Sequence, residues 1–116
     1  MQDFVSVLFQ SRTQAHTWHL ATTVYSEHKA LQKYYEELPD LVDAIIEQYQ
    51  GAYQVIVEYP NMYEPPKADA LQEVTSIRDF IVANRSVVGP YTSLQNEVDA
   101  LLSLVESTMY KLTFLD

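Results

Sequence analysis

Three features of this 116-residue chain predict an all-α fold, four helices in one bundle with a long crossover between the second and the third. Apolar residues recur at helical spacing over four separate stretches. Only two glycines occur, Gly51 and Gly89, which leaves little material for tight turns. The stretch AYQVIVEYPNMYEPP, residues 52–66, has no helical period, yet it is long enough to travel the length of a bundle. Hydrophobic residues make up 47% of the chain and charged ones 20%, a balance that supports a real core in a single domain, residues 1–116.

The first helix is expected from about Asp3 to Leu20. At ~100° per residue, Phe4, Val5, Leu8, Ala15 and His19 fall on one side. Arg12 interrupts that side and His16 lies at its edge. LATTVY, residues 20–25, is short and β-branched and reads as a turn. Ser26 is the expected N-cap of the second helix, which runs to about Gln50 with Gly51 as its C-cap. Its apolar stripe is Leu31, Tyr34, Tyr35, Leu38, Leu41, Val42, Ile45, Ile46 and Tyr49. Pro39 lies inside this stretch and is expected to kink or split it, because proline lacks the backbone donor and crowds the preceding turn.

Residues 52–66 can reach very roughly 50 Å at ~3.3 Å per residue, more than the second helix spans at ~1.5 Å per residue. A crossover of that length makes the second and third helices parallel, whereas a simple up-down-up-down bundle has no need of it. The third helix is expected over about Lys67–Val88, with Leu71, Val74, Ile77, Arg78 and Ile81 spaced for a buried face. Gly89-Pro90 ends it. The fourth starts at Thr92, with Gln95 completing a capping box, and buries Val98, Leu101, Leu102, Val105, Met109 and Leu112.

Charge and composition exclude several functions. Seven Lys and Arg against sixteen Asp and Glu, a net charge of −9, cannot build a broad phosphate-neutralising surface, so direct DNA binding is not expected. No cysteine is present, which removes disulfides and thiolate metal sites and fits a reducing cytoplasm. MQDFVSVLFQSR lacks a basic segment followed by a long apolar one, so no signal peptide is expected, and no apolar run reaches membrane-spanning length. The chain has no G-x-S-x-G, no H-E-x-x-H and no Gly-rich phosphate loop, which argues against a hydrolase or nucleotide-binding reading.

The chemistry-bearing residues gather in one region. AHTWHLATTVYSEHKAL holds all three histidines, His16, His19 and His28. DAIIE follows, with Asp43 and Glu47 one helical turn apart on one face. Imidazole nitrogen and carboxylate oxygen together suit iron and similar divalent ions. A solvated acidic face and hydrogen-bonded helix-end histidines are the competing account. An antiparallel first and second helix brings His19 and His28 to one end of the bundle. His28 and Asp43, however, are fifteen residues apart on one helix, ~22 Å. They can share an ion within one chain only if Pro39 folds the helix back. A two-fold dimer with second helices antiparallel offers the other solution, placing His19 and His28 of one copy against Asp43 and Glu47 of another.

This pattern, QAHTWHL, then SEHKAL, then DLVDAIIE, resembles the Dps family, the miniferritins, over roughly residues 10–50. The resemblance implies a ferritin-like bundle whose Fe(II)-oxidising site lies between two subunits. It implies His19 and His28 as ligands from one copy, with His16 as a helper, and Asp43 and Glu47 from the other. It implies iron as the metal and self-association into a dimer or higher oligomer. Four features depart from the family: Gln32 stands where an acid is often found, LATTVY replaces a Gly-containing loop, the chain is shorter than typical members, and no basic DNA-binding tail is present. The stretch YSEHKALQKYYEELPDLVDAIIEQYQG also resembles small ferritin-like proteins encoded by bacteriophages, which implies the host cytoplasm as location. A structural or interaction protein on the same scaffold, with the tyrosine-rich crossover as its contact surface, is the alternative function.

Overall fold

The computed structural model describes residues 1–59 and 69–116. Four helices carry them: α1 (Gln2–Ala21), α2 (Tyr25–Tyr53), α3 (Ala70–Asn84) and α4 (Thr92–Phe114). A 3-10 turn, Arg85–Val88, tightens the end of α3. Among the described residues there is no strand, and no helix is long and apolar enough to cross a membrane.

α1 buries Phe4, Val5, Leu8, Ala15 and His19, as its spacing predicts, and a serine fills the gap in the stripe. Ser11 Oγ donates to the Leu8 carbonyl at 2.7 Å and bonds the Tyr34 hydroxyl at 2.7 Å. A serine has one proton to give, so Tyr34 is the donor in the second bond. Arg12 leaves the core and lays its guanidinium over the Phe9 ring, 5.6 Å from the centroid.

α2 corrects two local expectations and narrows a third. It begins at Tyr25, preceded by Val24, and Ser26 does not cap it: its hydroxyl donates instead to the Leu115 carbonyl, 2.9 Å away at the end of α4. The helix does not split at Pro39. That residue is half-exposed and outside the buried stripe of Leu38, Val42 and Ile45, so the carbonyl it deprives of a donor lies where water can serve it. Gly51 is not the C-cap. The helix continues to Tyr53 and stops at Gln54, which takes the left-handed conformation at φ 54°. One contact within the helix and one outside it hold that extra turn: the Tyr53 ring packs 4.6 Å from Tyr49 one turn back, and its hydroxyl donates to the Val88 carbonyl.

The helix directions follow from contacts at each end. His19 meets His28, and Phe4 at the start of α1 stacks on Phe80 near the end of α3, 5.9 Å between centroids. Ser26 meets Leu115, and Tyr53 meets Val88 and Tyr91. So α1 is antiparallel to α2 and to α3, and α2 is antiparallel to α4. The end of α2 lies beside the end of α3, and these two helices therefore run parallel on opposite corners of the bundle. The connection between them must return the length of α3, ~22 Å. Residues 60–66 of the expected crossover lie outside the described residues. Its first part is visible: Val57 N–H and the Tyr59 hydroxyl both donate to Gln50 Oε1, and Tyr59 reaches Asp43 and Ile46, back along α2.

α3 begins at Ala70 with the Asp69 carboxylate accepting from Leu71 N–H, later than the expected Lys67, which lies outside the described residues. It buries Val74, Ile77 and Ile81. Arg78 is not on the buried face; it is half-exposed and paired with Asp79. The expected capping box at the start of α4 does not form either. Gln95 turns back to latch the α3–α4 turn, donating to the carbonyls of Arg85 and Gly89 and accepting from Arg85 Nε. Arg85 completes the latch with an ion pair to Asp99. Gln95→Ala removes all three bonds of the half-buried amide and is expected to cost about 1–2 kcal/mol, read as a lower urea midpoint with an unchanged slope.

Candidate functional site

The histidines meet where α1 turns into α2. The turn is three residues, Thr22–Val24, which forces the last turn of α1 against the first turns of α2. His19 is buried at 7% exposure, and His28 is half-buried. Their rings stack 3.7 Å apart at 23°. Each ring reaches the other residue's backbone: His19 Nδ1 lies 2.7 Å from the His28 carbonyl, and His28 Nδ1 lies 2.9 Å from the His19 carbonyl. A carbonyl oxygen only accepts, so both Nδ1 atoms carry the proton, and in the neutral ring Nε2 keeps the lone pair. The second bond also satisfies a carbonyl that α1 leaves open at its C-terminus.

His16 joins the same cluster from the surface. It is exposed and stacks on Tyr35, 4.0 Å between centroids at 14°. Tyr35 in turn presents its ring edgewise to His19 at 5.2 Å, and the Tyr25 ring lies 6.5 Å from His28. Tyr25, His28 and Tyr35 lie within one face of α2 at ~100° per residue, a spacing that could have linked them to the histidines before the fold was known.

Asp43 and Glu47 are exposed and share one face of α2. Neither enters an ion pair among the described residues. Because α2 is unbroken through Pro39, the route that would fold the carboxylates back onto their own histidines is closed. Among the described residues, no three His, Asp or Glu side chains of one chain converge as a metal site. The structure thus brings His16, His19 and His28 together and leaves Asp43 and Glu47 about four and five turns beyond His28 along α2.

A second feature accompanies Asp43. Val5 and Phe9 of α1, Ile46 of α2 and Tyr59 line, with that carboxylate, a groove of about 200 Å³. Partial burial pushes the Tyr59 phenol above its ordinary range. The sequence carried no signal for this groove, because it joins residues from three separate stretches.

The family described as a family of unknown function (DUF5856) matches residues 19–112, a span that includes His19, His28, Asp43 and Glu47 but not His16. An uncharacterized 14.6 kDa protein from the mobD-ri intergenic region of Enterobacteria phage T4 is 26% identical over 113 residues, covering 96% of this chain and 86% of that protein. No solved structure matches the chain. With 94 of its residues inside the family match, this chain belongs to the DUF5856 family.

Proposed function

We propose that this chain is a ferritin-like, miniferritin-type protein that takes up Fe(II) between two copies of itself and promotes its oxidation. His19 and His28 of one copy, with His16 beside them, would face Asp43 and Glu47 of the other. The observation that carries this reading is the pair of Nδ1–H bonds to backbone carbonyls. A backbone carbonyl on the far ring nitrogen is the usual means of fixing a metal-binding histidine in the tautomer whose Nε2 donates. Two exposed carboxylates one turn apart supply the hard oxygen donors that accompany imidazole at iron. The parallel α2 and α3, joined by a long connection, support a ferritin-like reading of the bundle.

Fe(II) is the substrate, each ion giving up one electron, with peroxide or dioxygen as acceptor. The net charge of −9 favours cation entry and disfavours a direct DNA partner. The phage relative supports the host cytoplasm as the place of action.

Anaerobic Fe(II) loading with a count of metal per chain tests the reading. Stoichiometric binding is expected in the wild type and is expected to fall by at least about tenfold in both His28→Ala and Glu47→Ala. Loss in only one variant would mean that the two halves do not share an ion, and no binding in the wild type would remove iron altogether.

One observation favours a second reading. The reciprocal bonds of the stacked His19–His28 pair tie the end of α1 to the start of α2, a structural role that suits a structural or interaction protein on the same scaffold. Absence of Fe(II) binding with an intact fold would select it.

A further inference from the structure

The groove beside Asp43 is smaller than the ~300–1,000 Å³ of ordinary small-molecule pockets, and it is lined by apolar side chains with a single carboxylate. Its size and lining suit one aromatic side chain that carries a polar tip. The α1–α2 turn displays such a group. Tyr25 is 72% exposed, and Leu20 and Val24 beside it are 73% and 43% exposed. Together they leave an apolar knob next to the histidine pair.

Register ties the knob to the groove. In a two-fold pair of antiparallel α2 helices, the residue numbers that face each other have a constant sum. If His28 faces Asp43, the sum is 71, and the axis passes between Tyr35 and Glu36. The same register sets Tyr25 against Ile46, a wall of the groove, and Val24 against Glu47. Tyr25, His28, Gln32, Pro39 and Asp43 all fall within one ~60° face of α2, beside the buried stripe, which meets it at Ile46. Charge agrees. The first turns of α2 hold Lys29 and Lys33 against one acid, Glu27, together with the positive end of the helix dipole. Its later turns hold Glu36, Glu37, Asp40, Asp43 and Glu47 with no Lys or Arg. Antiparallel pairing lays the basic half of each helix on the acidic half of the other.

We propose that the occupant of this groove is a second copy of the chain: the α1–α2 turn of each subunit seats Tyr25 in the groove formed by Val5, Phe9, Asp43, Ile46 and Tyr59 of the other. The phenol ring fills the apolar walls, and its hydroxyl donates to the Asp43 carboxylate. The inference rests on the proposed two-copy arrangement, but it concerns the docking contact and not the metal.

The test uses the full chain, which has no cysteine of its own. Val24→Cys/Glu47→Cys changes two exposed positions that the register sets against each other and leaves Tyr25 in place. Within one chain these positions are ~35 Å apart along the helix, and any link made by a short bismaleimide must join two chains. The double variant is expected to give covalent dimer while either single variant gives little. Tyr25→Ala is expected to weaken the dimer at least about tenfold by sedimentation, without change in helix content. Efficient linking of Val24→Cys alone would place the two turns against each other and overturn the proposal, as would a monomeric wild type at micromolar concentration. Fe(II) counts on the wild type separate the two ideas. Metal lost in both His28→Ala and Glu47→Ala, with no link between positions 24 and 47, refutes the docking contact and leaves the metal reading standing. Linked dimers that bind no Fe(II) do the reverse.

Discussion

Tyr34→Ala is expected to remove about 3–5 kcal/mol of unfolding free energy, a large part of the roughly 5–15 kcal/mol that holds a domain of this size. Tyr34 is fully buried in the middle of α2, and truncating it opens a ring-sized cavity between helices. The hydroxyl adds a second, separable test. Because Ser11 spends its proton on the Leu8 carbonyl, Tyr34 donates to Ser11 Oγ, and the two single deletions differ. Tyr34→Phe loses one hydrogen bond and is expected to cost about 1 kcal/mol. Ser11→Ala strands a buried phenol donor and is expected to cost about 1–3 kcal/mol. The double variant should then be close to Tyr34→Phe alone, since no unsatisfied group remains. Equal and additive single effects in urea unfolding would show that the donor assignment is wrong.

The same residue sets an alkaline limit. Burial, the largest cause, pushes the Tyr34 phenol far above its ordinary range; the Ser11 bond opposes the shift, and the Glu73 charge adds to it. The folded state therefore keeps the proton where the unfolded chain begins to lose it. Stability from this group is complete below the unfolded value, about pH 10, and falls as pH rises beyond it. Tyr34→Phe is expected to flatten the loss above about pH 10, measured as the pH dependence of the urea midpoint. An unchanged slope would assign the loss to other tyrosines.

Gly89→Ala carries the second largest expected effect, about 2–4 kcal/mol, or very roughly 10 °C in Tm. Two independent causes act at this position. Its φ of +80° is costly for any residue with a Cβ, and the added methyl would fall on the Tyr53 hydroxyl. That hydroxyl donates to the neighbouring Val88 carbonyl, so moving it also breaks the bond that ties the end of α2 to the α3–α4 turn. Tyr53→Ala in the Gly89→Ala background relieves the collision but not the backbone strain. The double variant is expected to be more stable than the sum of the two single effects. Strict additivity would mean that the φ angle alone accounts for the cost. Gly51, by contrast, has open space around it within α2, and Gly51→Ala is expected to stabilise slightly.

Helix identity was legible because burial imposes a 3.6-residue period, and Val74, Ile77 and Ile81 or Val98, Leu101 and Val105 display it without further information. Helix ends were not. Ser26, Gly51 and Gln95 each carry a cap-forming residue type, yet each was overridden by a partner distant in sequence or by a better-packed terminus: Leu115, Tyr53 packing and the Arg85 carbonyl. Capping preferences amount to about 1 kcal/mol, and one tertiary contact outweighs them.

The candidate site divides in the same way. The convergence of His19 and His28 could be read from a short connection between two amphipathic helices. The distance of Asp43 and Glu47 from them could be read from helical rise alone. What the amino-acid sequence determined by itself was therefore the all-α class, the buried stripes, the acidic balance and the grouping of three histidines at one end. These depend on local periodicity and short-range spacing. The tertiary structure alone decided that the histidine rings stack and exchange bonds with each other's backbone, that α2 passes unbroken through Pro39, and that a groove opens beside Asp43. Each of these depends on atoms from separate stretches of chain meeting in space, and such meetings follow from the packing of the bundle, which no local pattern of residues specifies.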